Sequence, residues 1–473
     1  MSTPPLASGP EGPRALRPLL DTVLEALRDG ARERGGPLPR GGPETVGTRV
    51  RHAVGDVLPD EGDPEALRHL VRALAAGSAD PADPLCAAHL HCPPLAVAAA
   101  ADLAASVLNP SLDSWDQAPA ASELERLVTR VLANEVYVDV PRGAGNCATS
   151  PYGPAADNEP DSLVTTGGTE SNQLALLLAR EALGAGVRLV CGANTHHSLP
   201  RAAWLLGLPD PVIVPAPAGT LDPAALDAAL TDLPGPHLVA ATAGTTDAGL
   251  IDPLPEIAAV CRSHGARLHI DAAYGGGLLF STRHRDKLTG LSAAATVTLD
   301  LHKLGWQPVA AGLLAVQDAR DLAALQQRAD YLNADDDTEA GLPDLLGRSL
   351  RTTRRPDALK IAVTLKTLGR TGLGRLVDQV CARAREFAEL VQNHPGFELH
   401  DPPTISTVLF RPVHATDDDI AAVRRKLLTD GRAVLGRARL DGRLWLKATL
   451  LNPHTRPDDL AALLKVVEGT THR

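Results

Sequence analysis

The amino-acid sequence predicts an α/β protein built on a mostly parallel sheet, with a smaller α+β domain at the C-terminal end. Between Leu163 and Val316, short apolar runs of strand length alternate with segments of helical periodicity. Strands separated by helix-length connections are typical of parallel βαβ units with right-handed crossovers. We expect strands at 188–191, 212–215, 237–243, 267–272, 295–299 and 312–316, and helices at 170–183, 223–230 and 255–263.

The segments on either side of this alternating region have different patterns. Residues 1–14 are rich in proline and glycine, which is typical of a disordered tail. Residues 15–105 carry apolar residues at helical spacing, so we expect a helical N-terminal segment. A long helical pattern follows Arg355-Pro356 and leads into short strands and helices. We therefore place a large cofactor-binding domain at 106–355 and the small α+β domain at 356–473.

Composition and charge exclude several classes of protein. Hydrophobic residues make up 44% of the chain and charged residues 22%, which is typical of an ordinary globular protein. A formal net charge of −11 disfavours nucleic acid as a partner, because phosphate binding needs a basic surface. No apolar run reaches membrane-spanning length, and no signal peptide opens the chain. We expect a cytoplasmic protein that binds neither membranes nor nucleic acids.

A cluster of Cys86, His89, His91 and Cys92 raises the question of a metal ion. The four side chains are too close together in the sequence to match the usual spacing of a tetrahedral ligand set. We therefore expect no metal site, and we interpret this segment as part of a pocket wall.

The strongest chemical signal lies at the ends of two predicted strands. Asp271 lies near the end of one predicted strand, in His269-Ile-Asp-Ala-Ala, and Lys303 follows the run Thr298-Leu-Asp-Leu-His. A lone lysine is most often a solvated surface charge, but Leu-Gly-Trp directly after Lys303 is an unfavourable setting for one. A lysine amine can form a Schiff base with an aldehyde, and a carboxylate can keep a proton on a pyridine nitrogen. The pair therefore suits a cofactor that carries both groups.

A glycine turn in Thr165-Thr-Gly-Gly-Thr-Glu precedes the helix predicted at 170–183. Backbone N–H groups and the helix dipole at such a position favour a phosphate. By itself the signal is weak, because glycine turns before helices are common. It gains weight from its place upstream of the Asp271 and Lys303 segments.

These three segments resemble the pyridoxal-phosphate site of the group II amino-acid decarboxylases, which belong to the fold type I enzymes. The resemblance extends from about residue 85 to residue 464, and its longer matches are at 109–119, 304–308, 350–360 and 446–453. The chain is most similar to the bacterial diamino-acid branch, typified by L-2,4-diaminobutyrate decarboxylase. The motifs specify the family strongly and the substrate weakly.

The resemblance implies a seven-stranded sheet in the large domain, pyridoxal 5′-phosphate as cofactor, and a homodimer with the active site at the subunit interface. It implies Lys303, Asp271 and His196 as catalytic residues, with His196 preferred over His197 because it keeps the family's spacing to the following Arg201-Ala. The implied cofactor contacts are Gly168 and Thr169 at the phosphate, Thr246 near the ring hydroxyl, Ala273 under the ring, and Asp300 and His302 beside the lysine. The implied substrate pocket contains His91, Pro93, Pro94 and Trp115.

One departure from the family concerns the proton donor. Aromatic-amino-acid decarboxylases carry a tyrosine on a mobile loop, and the segment 333–346, where that loop should lie, contains none. Tyr331 at the edge of the loop or His196 could act instead. The departure weakens an aromatic substrate and leaves open a reaction with oxygen that yields an aldehyde.

The expected reaction is decarboxylation of an L-amino acid to an amine and CO2, with a diamino acid of the diaminobutyrate, ornithine or lysine class as substrate. Acidic side chains near the presumed entrance could attract a distal ammonium; the candidates are Asp113, Asp116 and the run Asp335–Asp337. The alternatives are an aromatic or acidic amino-acid decarboxylase, oxidative deamination or β-lyase chemistry on the same scaffold, and a non-catalytic cofactor-binding protein.

Overall fold

The computed structural model describes residues 4–138, 159–327, 329–334, 336 and 339–471. The strands are β1 (Asp161–Thr165), β2 (Arg188–Gly192), β3 (Val212–Val214), β4 (His237–Thr242), β5 (Arg267–Ala272), β6 (Thr296–Asp300), β7 (Gly312–Val316), β8 (Phe397–Leu399), β9 (Thr407–Pro412), β10 (Gly436–Leu440) and β11 (Arg443–Thr449). The helices are α1 (Gly12–Arg34), α2 (Gly42–Val54), α3 (Ala66–Gly77), α4 (Ala96–Leu108), α5 (Pro119–Val136), α6 (Gly168–Leu183), α7 (Ser198–Leu205), α8 (Pro223–Thr231), α9 (Leu254–Ser263), α10 (Leu301–Leu304), α11 (Asp330–Asn333), α12 (Ala358–Gln392), α13 (Asp417–Thr429) and α14 (Pro457–Thr471).

A seven-stranded sheet forms the centre of the unit Pro94–Gln379. Its strand order is β1-β7-β6-β5-β4-β2-β3, and β7 runs antiparallel to both of its neighbours while the other pairs are parallel. The predicted α/β architecture with a mostly parallel sheet is confirmed. In such sheets ligands bind beyond the carboxyl ends of the strands, where loops meet helix N-termini.

Helix α6 lies across the middle of this sheet because apolar residues occupy two adjoining stripes of its surface. Leu174 and Leu178 pack with Leu163 and Leu314 of β1 and β7. Leu176 and Ala179 pack in a second cluster, with β2 and β4. This packing fixes the N-terminus of α6 near the carboxyl ends of β5 and β6.

Met1–Pro93 and Val380–Arg473 form the second compact unit. It contains the antiparallel sheet β10-β11-β9-β8, helices α1 to α3, and helices α13 and α14. Phe387, Phe410 and Leu446 belong to its buried core. The three-part division at residues 106 and 356 stays a prediction.

The observed elements differ from the predicted ones where apolar patterning is weak. The apolar run at 433–435 predicts a strand there, but β10 begins three residues later, at Gly436. Arg437 and Arg439 alternate on its exposed face and interrupt the apolar pattern. Strands β1 and β8 and helices α2 and α5 were not among the predicted elements. Within the described ranges, no helix combines the length and the apolar composition needed to cross a membrane.

Candidate active site

The glycine turn, Asp271 and Lys303 meet at one end of the strands of the central sheet, where β5 and β6 have their carboxyl ends. Gly312 of β7 pairs with Thr165 of β1 and with Asp300 of β6, so the turn lies beside the lysine segment. The approach is close, since a Cβ on Gly312 would lie 2.4 Å from the Cα of Gly167. A Cβ on Gly168 would lie 3.1 Å from the Cβ of Ala273 and 3.2 Å from Oδ2 of Asp300. Any side chain at either glycine would fill this space.

Lys303 lies on the short helix α10, directly after β6. Its Nζ is 2.8 Å from Oδ2 of Asp300, and the Asp300 side chain is only 2% exposed. The other carboxylate oxygen of Asp300, Oδ1, is buried and makes no hydrogen bond to any residue that the structure describes. Asp300 therefore retains acceptor capacity toward a ligand.

His302 is held on the other side of Asp300. Its Nδ1 accepts a hydrogen bond from the Ala311 backbone N–H at 3.2 Å, and its Nε2 is 3.5 Å from Oδ2 of Asp300. Burial lowers the pKa of His302, so the ring is neutral near pH 7. A neutral ring that accepts at Nδ1 carries its proton on Nε2, which faces the carboxylate.

Asp271, the penultimate residue of β5, is a buried carboxylate whose described partners are both neutral. Oδ1 accepts from the Ala273 backbone N–H at 3.0 Å, and Oδ2 accepts from Nδ2 of Asn172 at 2.8 Å. Among the described residues, no lysine or arginine forms an ion pair with it. Burying an uncompensated carboxylate is costly, so a cationic group at this position would be strongly favoured.

The structure separates the two histidines that the sequence left as alternatives. Nδ1 of His196 is 2.7 Å from Oγ of Ser198, and the ring is half-buried. Burial lowers the pKa of His196, against an opposing effect of the Asp271 carboxylate. The neighbouring His197 is exposed. The geometry therefore favours His196 as the histidine of the site.

Sequence analysis missed two buried polar residues, Asn172 and His269. The side chain of Asn172 bonds to Asp271, Ser198, His269 and Thr298. Signals for both were present: Asn172 shares a helical stripe with Leu176 and Ala179, and His269 lies two positions before Asp271 on the same strand face. Burial lowers the pKa of His269 to about 4.

The remaining predicted contacts are exposed side chains or belong to the other compact unit. Thr169 is exposed in the first turn of α6, and Thr246 is exposed in the turn that follows β4. Pro94 precedes Leu95, whose backbone N–H donates to the Trp306 carbonyl at 2.9 Å. Trp115 is 37% exposed. His91 and Pro93 belong to the other compact unit, and their role in the pocket stays a prediction.

The acidic candidates and the tyrosines of the chain are described only in part. Oδ1 of Asp113 accepts from Gln117 at 2.7 Å, whereas Asp116 is exposed. The hydroxyl of Tyr137 lies 3.3 Å from the Ala315 carbonyl, at the opposite edge of the sheet from Lys303. Asp335, Asp337 and Tyr152 lie outside the described residues, and the backbone of Tyr331 belongs to α11.

These features fit a ligand with three distinct groups. The glycine turn opens a 16-residue helix and leaves room for a phosphate near backbone N–H groups. The Asp271 carboxylate suits a ring cation, the Lys303 amine suits an aldehyde, and Oδ1 of Asp300 is left to accept a hydrogen bond. Pyridoxal 5′-phosphate carries these groups. The arrangement at the strand ends defines a pyridoxal-phosphate enzyme of fold type I.

Comparison with known proteins identifies the family. Residues 54–413 match the family model described as "Pyridoxal-dependent decarboxylase conserved domain". The L-2,4-diaminobutyrate decarboxylase of Rhizobium meliloti (strain 1021) is 39% identical over 450 residues, covering 92% of this chain and 83% of that protein. The L-2,4-diaminobutyrate decarboxylase of Acinetobacter baumannii is 31% identical over 423 residues, covering 82% of this chain and 79% of that protein.

A solved structure agrees with this result. The crystal structure of the glutamate decarboxylase domain of diaminobutyrate-pyruvate transaminase and L-2,4-diaminobutyrate decarboxylase from Vibrio parahaemolyticus has a TM-score of 0.84 at 29% identity. The match covers 99% of this chain and 97% of that chain. The chain belongs to the pyridoxal-dependent decarboxylase family. It is a pyridoxal-phosphate-dependent carboxy-lyase that acts on an amino acid, and the resemblance seen in the sequence is confirmed.

The depressed pKa of His269 predicts a specific pH dependence of stability. A free histidine has a pKa of about 6.5, so between that pH and about 4 the unfolded chain binds a proton that the folded chain does not. The stability that His269 contributes is present above pH 6.5 and is lost as the pH falls toward 4. We expect the free energy of unfolding in His269→Gln to fall less steeply over this window, by about 1.4 kcal/mol per pH unit.

Urea unfolding at several pH values measures this slope. Thr296→Val is the matched control, because it removes the hydroxyl beside Nδ1 of His269 and keeps the titrating ring. The control should retain most of the wild-type slope. Equal slopes in wild type and His269→Gln would contradict the prediction.

Proposed function

We propose that this protein decarboxylates an L-diamino acid of the 2,4-diaminobutyrate, ornithine or lysine class to the corresponding amine and CO2. The observation that carries the reaction type is the convergence of the glycine turn, Asp271 and the Lys303–Asp300 pair at one edge of the sheet. The substrate class is supported by the two relatives named L-2,4-diaminobutyrate decarboxylase, of which the first is 39% identical.

Each residue has a proposed task around the cofactor, which supplies an aldehyde for covalent attachment and a ring that accepts the electrons released with CO2. Lys303 is the attachment point. Asp271 keeps a proton on the ring nitrogen. The N-terminus of α6 at Gly168 and Thr169 binds the phosphate. Ala273 would leave space for the ring, Thr246 would contact its hydroxyl, and Asp300 and His302 would orient the lysine amine.

His196 is the proposed proton carrier above the ring. The Ser198 hydroxyl lies 2.7 Å from Nδ1 and accepts a hydrogen bond from Asn172, so it donates its own proton to Nδ1. The neutral imidazole therefore carries its hydrogen on Nε2. To protonate the substrate carbon, the imidazole would first take up a second proton from solvent, and transfer of the Nε2 proton would return the ring to its neutral form. This proton transfer is the task of the loop tyrosine in the aromatic-amino-acid decarboxylases.

A carboxylate is the group that would distinguish a diamino acid from other substrates. Asp116 is exposed beside Trp115, whereas Asp113 already accepts a hydrogen bond from Gln117. We propose Asp116 and the run Asp335–Asp337 as candidates for contact with the distal ammonium. An analogue without that charge would leave the carboxylate unpaired when the pocket closes over it.

The proposed assembly is a cytoplasmic homodimer. Leucines on α1 and α3 support it, since Leu24 is 65% exposed and Leu74 is 68% exposed. Helices α1 and α3 pack against each other, and large apolar side chains left exposed on such a pair are typical of a surface that another chain covers. In the family to which the resemblance points, the active site forms at the subunit interface, so residues of a second copy would complete the pocket.

We predict that the cofactor is attached to Lys303. Borohydride reduction of the holoenzyme, followed by peptide mapping, should place the pyridoxyl group on Lys303. Lys360 is the informative alternative, because it is only 1% exposed and lies 3.1 Å from Asp357. Lys303→Ala should carry no label and should lose all decarboxylation. A label on Lys287 or Lys360 in the wild-type protein would contradict the assignment.

We also predict the order of substrates. CO2 release from diaminobutyrate, ornithine and lysine should be compared with release from tyrosine, DOPA, glutamate and aspartate. We expect the best diamino acid to exceed each of the others by at least about 100-fold in kcat/KM, because none of the others carries a distal positive charge. Parallel assays without oxygen, with product analysis, detect an aldehyde-forming reaction. Faster release from any aromatic or acidic amino acid would overturn the substrate class and leave the decarboxylase assignment in place.

A further inference from the structure

Asn172 occupies a central place in the buried side of the site. It lies one turn into α6 and is fully buried. Its Nδ2 is 2.8 Å from Oδ2 of Asp271 and 2.8 Å from Oγ of Ser198. Its Oδ1 is 3.0 Å from Nε2 of His269 and 2.8 Å from Oγ1 of Thr298. The whole hydrogen-bonding capacity of one amide is therefore directed at four defined groups.

The chemistry of these partners fixes the orientation of the amide. The Asp271 carboxylate is an acceptor, so the atom facing it must be the NH2 group of Asn172. The opposite atom is then the carbonyl oxygen, which requires donors. Thr298 supplies a hydroxyl hydrogen, and His269 must supply an N–H from Nε2. A flipped amide would set an oxygen against the carboxylate and a hydrogen against each donor.

His269 is suited to hold this orientation because it stays neutral. Burial lowers its pKa, and a neutral ring has one N–H. That hydrogen lies on Nε2, toward Asn172, because Nδ1 lies 2.9 Å from the Thr296 hydroxyl and can accept from it. The tautomer of His269 thus sets the orientation of the amide that contacts Asp271.

We propose that Asn172 is a positioning residue that holds Asp271 and His196 at the same time. One hydrogen of its NH2 group goes to the Asp271 carboxylate. The other goes to Ser198, whose hydroxyl donates to Nδ1 of His196 and leaves the proton of that ring on Nε2. The inference rests on the proposed roles of Asp271 and His196. It adds that one amide couples the carboxylate that keeps the ring nitrogen protonated to the histidine that carries the proton for the substrate.

A purely structural role predicts a different result. If Asn172 only filled space in the core, replacing it would lower stability and leave the protonation of the bound cofactor unchanged. If it positions Asp271, its loss lets the carboxylate move, and the pH at which the cofactor absorbance changes should shift. The pH profile of that absorbance therefore separates the two roles.

The test uses holoenzyme variants at Asn172 and at its two arms. Asn172→Leu removes all four hydrogen bonds at similar volume, and Asn172→Ala carries the test if the leucine variant does not fold. Ser198→Ala breaks only the connection to His196. Ser171→Ala is the matched control, since Ser171 is the preceding residue on α6, is buried, and bonds to Thr165 and Leu313 instead.

We expect kcat to fall about 10- to 100-fold in the Asn172 variants, which is typical for loss of a residue that orients a functional group, with a smaller change in KM. The absorbance–pH profile of bound cofactor should shift, and the dissociation constant for pyridoxal phosphate should rise. Ser198→Ala should leave the absorbance profile unchanged and alter the pH profile of kcat. Ser171→Ala should match wild type in kcat, KM, both pH profiles and the dissociation constant for pyridoxal phosphate.

An Asn172 variant that folds and keeps the wild-type absorbance profile and kcat would overturn the inference. Asp271→Asn, measured in parallel, distinguishes this result from failure of the proposed function. If Asp271→Asn changes the absorbance profile and the Asn172 variants do not, only the role of Asn172 falls. If neither changes it, the proposed role of Asp271 falls as well.

Discussion

The structure of the site depends on one buried carboxylate that the described residues leave without a cation. Asp271 receives hydrogen bonds from the Ala273 backbone and from Asn172, and both donors are neutral. Two neutral donors orient a carboxylate but do not offset the cost of burying its charge. In the proposed function a protonated pyridine nitrogen would offset that cost, and by the same interaction the carboxylate would keep the proton in place. Cofactor binding and cofactor activation are in this account one electrostatic event.

The rest of the fold supplies the geometry for that event. Parallel strands β5 and β6 place Asp271 and Lys303 at the same end of the sheet, because the carboxyl ends of the two strands lie side by side. Strand β7 lies between β6 and β1 and is antiparallel to both. Gly312 on β7 lets the glycine turn approach Asp300 more closely than any side chain would allow. The N-terminus of helix α6 is the proposed phosphate site. The buried side of the same helix carries Asn172, which donates a hydrogen bond to Asp271. Packing of α6 on the sheet therefore sets the position of the catalytic carboxylate.

The sequence predicted those parts of the fold and site that leave a local pattern. Strand β7 was predicted with its observed bounds because it is a continuous apolar run that ends at a polar residue. Strand β5 was predicted with its observed bounds because Leu268, Ile270 and Ala272 alternate with polar residues. Lys303 and Asp271 stood out because charged groups directly follow or end such runs. Strand β10 was predicted three residues too early because arginines alternate along it, and β8 was not predicted because Glu398 interrupts its two apolar residues.

The contacts of Asn172 and His269 depend on the packing of α6 against β5, which no local pattern records. The choice between His196 and His197 depends on which ring turns toward Ser198. One sequence cannot supply these distances, although the helical spacing of Asn172 with Leu176 shows that a polar group is buried there. Buried polar residues on an apolar stripe near a predicted strand end are the signal that would extend such predictions.

The most direct test of the central claim is the protonation state of the ring nitrogen. The holoenzyme can be reconstituted with pyridoxal phosphate labelled with 15N in the ring and examined by NMR, in the wild-type protein and in Asp271→Asn. The account predicts the chemical shift of a protonated pyridine nitrogen in the wild type near neutral pH, and that of an unprotonated nitrogen in Asp271→Asn. An unprotonated nitrogen in the active wild-type enzyme, or equal shifts in the two proteins, would contradict it.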